Sequence, residues 1–436
     1  SGGGHERDVL ADYSVNPQNI ALYSPSTPGN RWVKGEVRVM KDRGKIPENI
    51  RGKFLLIQQG SCSFDINETA ARKGALAVIT VTRNRAEHAA KYLNYSVPPY
   101  NRRSCVPCFS LTADAGRRLS AKLQENSHFC LRARVKARRY SGKLPVLTGS
   151  VGSGKPELYI CGHIDEIGAL DNASGCGVAV EVLRVMQSLG NSRGFDAQKR
   201  RIRFFFSVEV RGQQAWVNFL EGRGNFAGGI NLDMVGEKTR RDGPAMIFRT
   251  GFPHVPHYSG DILRSAVKVA NRETGPIGAV EGANFVSDGV FGSEPGLCGH
   301  VSLEQKTGWS YHSSADTPEL LNNRTLKWAG TAATAYLYRM SRMDNRDFLK
   351  LAGTIRNRVR RHVREDRNPV SEARKGLRKI GALRAMVKIP GSYRENMLHE
   401  DFYKAGVDRK TGCWPQVQIA EKISARSAAI SRDLKN

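Results

Sequence analysis

Apolar residues fall into short runs bounded by polar and glycine-rich turns, the pattern of buried strands set between helices. From residue 15 to 140 the runs Gly35-Glu36-Val37-Arg38-Val39-Met40, Lys53-Phe54-Leu55-Leu56-Ile57 and Ala77-Val78-Ile79-Thr80-Val81 predict strands, and Ala70-Ala71-Arg72-Lys73-Gly74 predicts a helix. From 141 to 345 strands and helices alternate. Strands are expected at Leu158-Tyr159-Ile160-Cys161, Ile202-Arg203-Phe204-Phe205-Phe206, Gly229-Ile230-Asn231-Leu232 and Val301-Ser302-Leu303. Helices are expected from Cys176 to Leu189, with Val178, Val182, Val185 and Leu189 on one face, and from Leu326 to Met340. Such alternation argues for an α/β fold: a three-layer α/β/α domain around a mostly parallel sheet. Residues 346 to 436 carry a basic cluster at Arg356, Arg358, Arg360, Arg361 and Arg364, with apolar residues at helical spacing in Ile380, Leu383, Met386 and Val387. A basic helical appendage is the expectation there.

Acid and imidazole residues follow these apolar runs in a fixed order: His163-Ile164-Asp165, Asp171-Asn172-Ala173-Ser174-Gly175, Glu209, Asp233, and His312-Ser313-Ser314-Ala315-Asp316. Residues just past strand ends meet in one crevice of an α/β sheet. A hydrolytic metal site needs mixed carboxylate and imidazole ligands, an open position for water, and a nearby carboxylate to take the proton. Asp171 is the candidate bridge between two cations, because Asp-Asn-Ala-Ser-Gly turns sharply into a helix. Asp165, two residues after His163, suits a carboxylate that orients a ligating imidazole. Glu209 ends the Phe-rich strand, where partial burial is expected to raise its proton affinity and fit it for general base duty. Taken singly, His163 reads as a core histidine and Asp171 and Asp233 as caps. Jointly, five such coincidences in order favour the metal reading. His254 and His257 share a Pro-rich loop without ligand spacing and read as surface residues.

The formal net charge of +27 over 436 residues gives a long-range attraction for anionic surfaces or polymers. No zinc-finger spacing, RNP-type aromatic motif or heptad-linked basic region accompanies it, so specific nucleic-acid recognition is not expected. No run reaches the roughly 18 apolar residues of a membrane span. Of eight cysteines, Cys161 and Cys176 flank the proposed site and read as inert thiols. The triplets Asn67-Glu68-Thr69, Asn94-Tyr95-Ser96 and Asn323-Arg324-Thr325 match the glycosylation sequon, from which an extracellular or periplasmic location is expected.

The segment Gly52-Lys53-Phe54-Leu55-Leu56-Ile57-Gln58-Gln59-Gly60-Ser61-Cys62-Ser63-Phe64, with Lys73-Gly74-Ala75-Leu76-Ala77-Val78-Ile79, resembles the protease-associated domain, which implies a small substrate-gating module over 15–140. Residues 147 to 345 resemble the co-catalytic zinc aminopeptidase family, whose relatives include glutaminyl cyclases and glutamate carboxypeptidases. The resemblance implies one zinc held by His163, Asp171 and Asp233, a second held by Asp171 and His312, Glu209 as general base and Asp165 as the acid orienting His163. Ser287-Asp288 resembles a further family element beside the pocket, with Gly289 in its third position. Trp309 and Tyr311, just before His312, either line that pocket or pack their own loop. One departure stands out: the family pattern Glu-Glu-x-Gly is here Glu209-Val210-Arg211-Gly212, so the second zinc loses a ligand. Three outcomes follow: one tightly held zinc, completion of the second site by Gln213, Gln214 or Glu304, or a pseudoenzyme that only binds peptides. The resemblance implies a zinc exopeptidase, most simply an aminopeptidase acting through a metal-activated water. A single-zinc acyl transferase of the cyclase kind is the alternative enzyme.

Overall fold

The computed structural model describes residues 8–365 except 23, 41–44, 59–61, 83–104, 139, 141, 144, 193–198, 221–225, 239–245, 252–256, 283–288, 293–297, 306, 307 and 309. His254, Ser287, Asp288, Trp309, Cys413, the Asn94 triplet and everything after 365 lie outside the described residues. The rest falls into two compact units. One comprises the chain up to 143 with the short segments 166–171 and 306–321; the other comprises 144–165, 172–305 and 322 onward.

The first unit is a five-stranded sheet of β1 (Val33–Val39), β2 (Phe54–Ile57), β3 (Ala77–Val81), β4 (Cys108–Leu111) and β5 (Cys130–Ala133), in the order β4-β3-β2-β1-β5. β1 to β4 run parallel and β5 is antiparallel to β1. β2 and β3 are buried at every position, which only a sheet covered on both faces allows. Leu55, Ile57 and Val78 enter one core, and Phe54, Leu56, Ala77 and Ile79 the other. Helices α1 (Phe64–Arg72) and α2 (Ala113–Glu125) begin at Ser63 and Thr112, whose hydroxyls accept from the N–H groups of Ile66 and Ala115. Asn67, first residue of a sequon, is buried inside α1 and bonds the backbone of Val106 through both ends of its amide.

The second unit holds a seven-stranded sheet ordered β11-β10-β12-β9-β7-β8-β6. Its strands are β6 (Val146–Val151), β7 (Glu157–His163), β8 (Ile202–Ser207), β9 (Phe226–Asp233), β10 (Ile247–Arg249), β11 (Val280–Gly282) and β12 (His300–Glu304). β12, β9, β7 and β8 form the parallel centre, while β6 and β10 pair antiparallel with their inner neighbours β8 and β12. Alternate residues serve opposite faces, as strand period demands. Leu158 and Ile160 join the core beneath α3 (Ala173–Gly190), α5 (Ser259–Thr274) and α6 (Asn323–Arg342), whereas Tyr159 and Cys161 join Phe205, Phe291 and Trp216 of α4 (Arg211–Leu220) on the other face.

The buried stripe of α3 runs through Val178, Ala179, Val182, Leu183 and Met186, with Val185 and Leu189 only half-buried. Alanine at 179 widens the face, and the helix rolls towards its bulkier Leu183 and Met186. In α6, Trp328, Ala329, Ala332, Ala333, Tyr336 and Leu337 are fully buried, and Trp328 Nε1 donates to Asn271 Oδ1 at 2.7 Å. Each large buried side chain contributes about 1.5–3 kcal/mol. α7 (Asn345–Glu365) sends Phe348 and Ile355 into this same core, so the basic segment begins as part of the α/β unit.

Candidate active site

In the parallel centre β7 lies between β8 and β9, so the chain crosses to opposite sides of β7 after its end, and a crevice opens beyond the carboxyl ends. Three acids and an imidazole arrive there. His163 is the last residue of β7, in register with Ser207 of β8; Asp233 is the last residue of β9. Glu209 follows Ser207 by two residues. Asp165 ties these positions together: its Oδ1 lies 3.4 Å from His163 Nδ1 and accepts the backbone N–H of Glu209 at 3.0 Å. The other imidazole nitrogen, His163 Nε2, lies 3.5 Å from Asp233 Oδ1. His163 is 3% exposed, so its ring is fixed between two carboxylates away from bulk water. Burial pushes the Asp165 carboxyl up, but the His163 ring and the Glu209 N–H outweigh it and leave the group below the usual range. An acid ionised at Nδ1 leaves the Nε2 lone pair available to a cation.

The start of α3 fastens the end of β9. Asn172 caps the helix by accepting from Gly175 N–H at 3.1 Å, accepts from Met234 N–H at 3.3 Å, and donates to Leu232 O at 2.9 Å. A Cβ on Gly175 would stand 2.2 Å from Leu232 O, so only glycine lets helix and strand come this close. Cys161 and Cys176 are thiols here, donating to Asn231 Oδ1 and His163 O at 3.3 and 3.2 Å.

A second set of groups sits on loops. His312 Nε2 lies 3.2 Å from Asp171 Oδ2 and 3.4 Å from Glu166 Oε2, with all three side chains at most 4% exposed. The Tyr311 ring stacks on that of His312, centroids 3.5 Å apart. Asp316 holds the other loop: its carboxylate accepts the N–H groups of Leu170 and Asp171 at 2.8 and 2.9 Å, and its carbonyl accepts that of Ala169 at 3.3 Å.

Non-glycine residues in the left-handed backbone region are few, and Val210, Met234 and His312, at φ 51°, 55° and 55°, are three of the four among the described residues. Each adjoins or is a proposed site residue, where sparsely populated conformations accumulate. Val210 is β-branched, which makes its conformation costly. It occupies the turn from β8 into α4, spanned by a hydrogen bond from Arg211 N–H to Glu209 O. Of the three side chains offered as substitutes for the missing ligand, Glu304 is ion-paired with Arg249 and Gln214 accepts from Arg211 at 2.8 Å. Gln213 is buried in α4.

Glu166 is the site acid that the sequence pattern passes over. It lies in no apolar run and at no strand end. Its one signal is its place next to Asp165.

Residues 146–337 match the model of peptidase family M28. The match covers 192 of the 436 residues, and the segment is similar to the metallopeptidase domains of that family. The chain is similar in fold to BSAP, a zinc aminopeptidase from Bacillus subtilis, at 18% identity over 74% of this chain and 79% of that one, with a TM-score of 0.56. It is likewise similar to a peptidase M28 precursor from Shewanella amazonensis, at 16% identity over 74% of this chain and 77% of that one, with a TM-score of 0.52. Among curated proteins no sequence match was found. The matched segment carries the α/β/α architecture with helices on both faces of its mostly parallel sheet, and no described helix of the chain is long and apolar enough to cross a membrane.

Proposed function

We propose that the protein is a zinc-dependent aminopeptidase in which His163, Asp171, Asp233 and His312 hold metal, Asp165 orients His163 and Glu209 is the general base. One observation carries this reading: a buried imidazole held between Asp165 and Asp233, with the same Asp165 fixing the backbone of Glu209. The donor set fits zinc, which favours mixed imidazole and carboxylate ligands. Zinc–ligand bonds of about 2.0–2.2 Å put two atoms of a tetrahedron roughly 3.3–3.6 Å apart. His163 Nε2 and Asp233 Oδ1, at 3.5 Å, have that spacing and not the roughly 2.7–2.9 Å of a charge-assisted hydrogen bond. BSAP is named a zinc aminopeptidase, which favours removal of an N-terminal residue over other exopeptidase polarities.

Zinc, when bound, supplies polarisation of the scissile carbonyl and a water acidic enough to be ionised near neutral pH. Glu209 then takes the proton of the attacking water and delivers it to the departing amine nitrogen. Asp165 acts on both partners: it sets the tautomer of His163 and pins the backbone that carries the base.

The reading is tested with aminoacyl and N-blocked peptides and with Glu209→Gln. Turnover is expected only on free N-termini, and Glu209→Gln should lower kcat by about 10²–10⁴-fold with zinc retained. Unchanged turnover in the variant removes the mechanism; zinc without any turnover favours a peptide-binding pseudoenzyme, and cyclisation of N-terminal glutamine favours acyl transfer. In the first unit, β2 and β3 buried on both faces support the protease-associated reading. Shortening the peptide should change kcat/KM if that unit gates access, and a flat dependence on length would remove the role.

A further inference from the structure

The family resemblance leaves the metal beside His312 with too few ligands, since Val210 stands where a carboxylate is expected and an isopropyl group has no donor atom. Zinc sites with protein ligands from Asp, Glu and His ordinarily take three of them, leaving one position open. His312 and Asp171 supply two. Around His312 Nε2 the described structure places a further carboxylate, Glu166 Oε2, at 3.4 Å, beside Asp171 Oδ2 at 3.2 Å. Both separations match the roughly 3.3 Å edge of a zinc tetrahedron and exceed the roughly 2.7–2.9 Å of a direct charged hydrogen bond.

We propose that Glu166 takes over the ligand position vacated at Val210, so that His312, Asp171 and Glu166 hold the second zinc. The inference rests on the zinc-peptidase reading above. The loop is built to keep Glu166 in place. Asp316 accepts the N–H groups of Leu170 and Asp171, and a Cβ on Gly168 would fall 2.1 Å from Asp316 Oδ2, so the loop from Glu166 to Asp171 closes tightly on that carboxylate. The rival ligands are otherwise engaged: Glu304 with Arg249, Gln214 with Arg211. Gln213 offers an uncharged amide, where zinc sites of this kind use carboxylate and imidazole ligands.

The test is zinc content of the full chain, measured by elemental analysis after equilibration with zinc and by competition with a chromophoric chelator, for wild type, Glu166→Gln, and Glu166→Gln combined with Val210→Glu. Wild type is expected to hold about two zinc ions, Glu166→Gln about one, and the double variant about two again. Unfolding of the zinc-stripped proteins separates ligation from mere support of the loop: the midpoints of wild type and Glu166→Gln should coincide without zinc and diverge with it. Two zinc ions in Glu166→Gln at unchanged affinity, or a wild type with only one, overturns the relocation and leaves the peptidase reading standing. A lower midpoint in zinc-stripped Glu166→Gln with undiminished zinc content overturns it as well. A wild type that binds no zinc overturns the peptidase reading and this inference with it.

Discussion

The strand-end cluster of His163, Asp165, Glu209 and Asp233 and the loop cluster of Glu166, Asp171, His312 and Asp316 use the same donor types but are held by different means. In the first, backbone ladders fix the positions: β7 and β8 are in register through His163 and Ser207, and Ile164 N–H continues the ladder to Ser207 O at 3.0 Å. In the second no named strand lies among the described residues, and one buried carboxylate, Asp316, organises the backbone that presents Glu166 and Asp171. A ladder spreads its stabilisation over many bonds and is indifferent to most side chains. A loop pinned by one acid concentrates it, so the second cluster should fail at a single substitution where the first degrades gradually.

The sharpest way to break this contrast is Asp316→Ala. It strips the acceptor from two N–H groups, each costing about 1–3 kcal/mol when left without one, so denaturant unfolding should show a loss of roughly 2–6 kcal/mol and zinc content should fall. Unaltered stability would mean that the loop is held by something other than Asp316. Next in size is Asp165→Asn, whose amide oxygen can still accept from Glu209 N–H but offers His163 no charge. Zinc affinity at the strand-end cluster should weaken about 10–100-fold, read by chelator competition, with the fold intact. An equal loss from both clusters would erase the distinction between them. The smallest expected effect is that of Asn172→Ala. Loss of the α3 cap should cost about 1–2 kcal/mol in unfolding free energy, while the β7 and β9 ladders keep zinc content at its wild-type level. Loss of zinc in that variant would show that the cap, and not the ladder, sets Asp233.

The central strands β7, β8, β9 and β12 were legible because each carries a short, largely buried apolar stretch, and the acids at or after their ends were legible for the same reason. Helix α6 was read from its apolar periodicity. β6 was not, because it is an antiparallel edge strand whose residues are mostly exposed and carry no apolar pattern. The stripe of α3 was misplaced by the preference for valines: Val185 stays half-buried, while Ala179, Leu183 and Met186 fill the core. α5, a long amphipathic helix with buried Ile262, Leu263 and Ala266, also went unread between its polar flanks.

By itself the sequence determined the parallel sheet and the order along it of the acids and imidazoles proposed as base, orienting acid and ligands, since strand burial and strand-end placement are local consequences of apolar runs. Its resemblance also placed Val210 where a carboxylate is expected. Only the tertiary structure brought Glu166 beside His312. Glu166 reaches His312, 146 positions away in the chain, through a loop closed by hydrogen bonds to Asp316, and no local pattern encodes a contact that exists only once distant loops have been brought together.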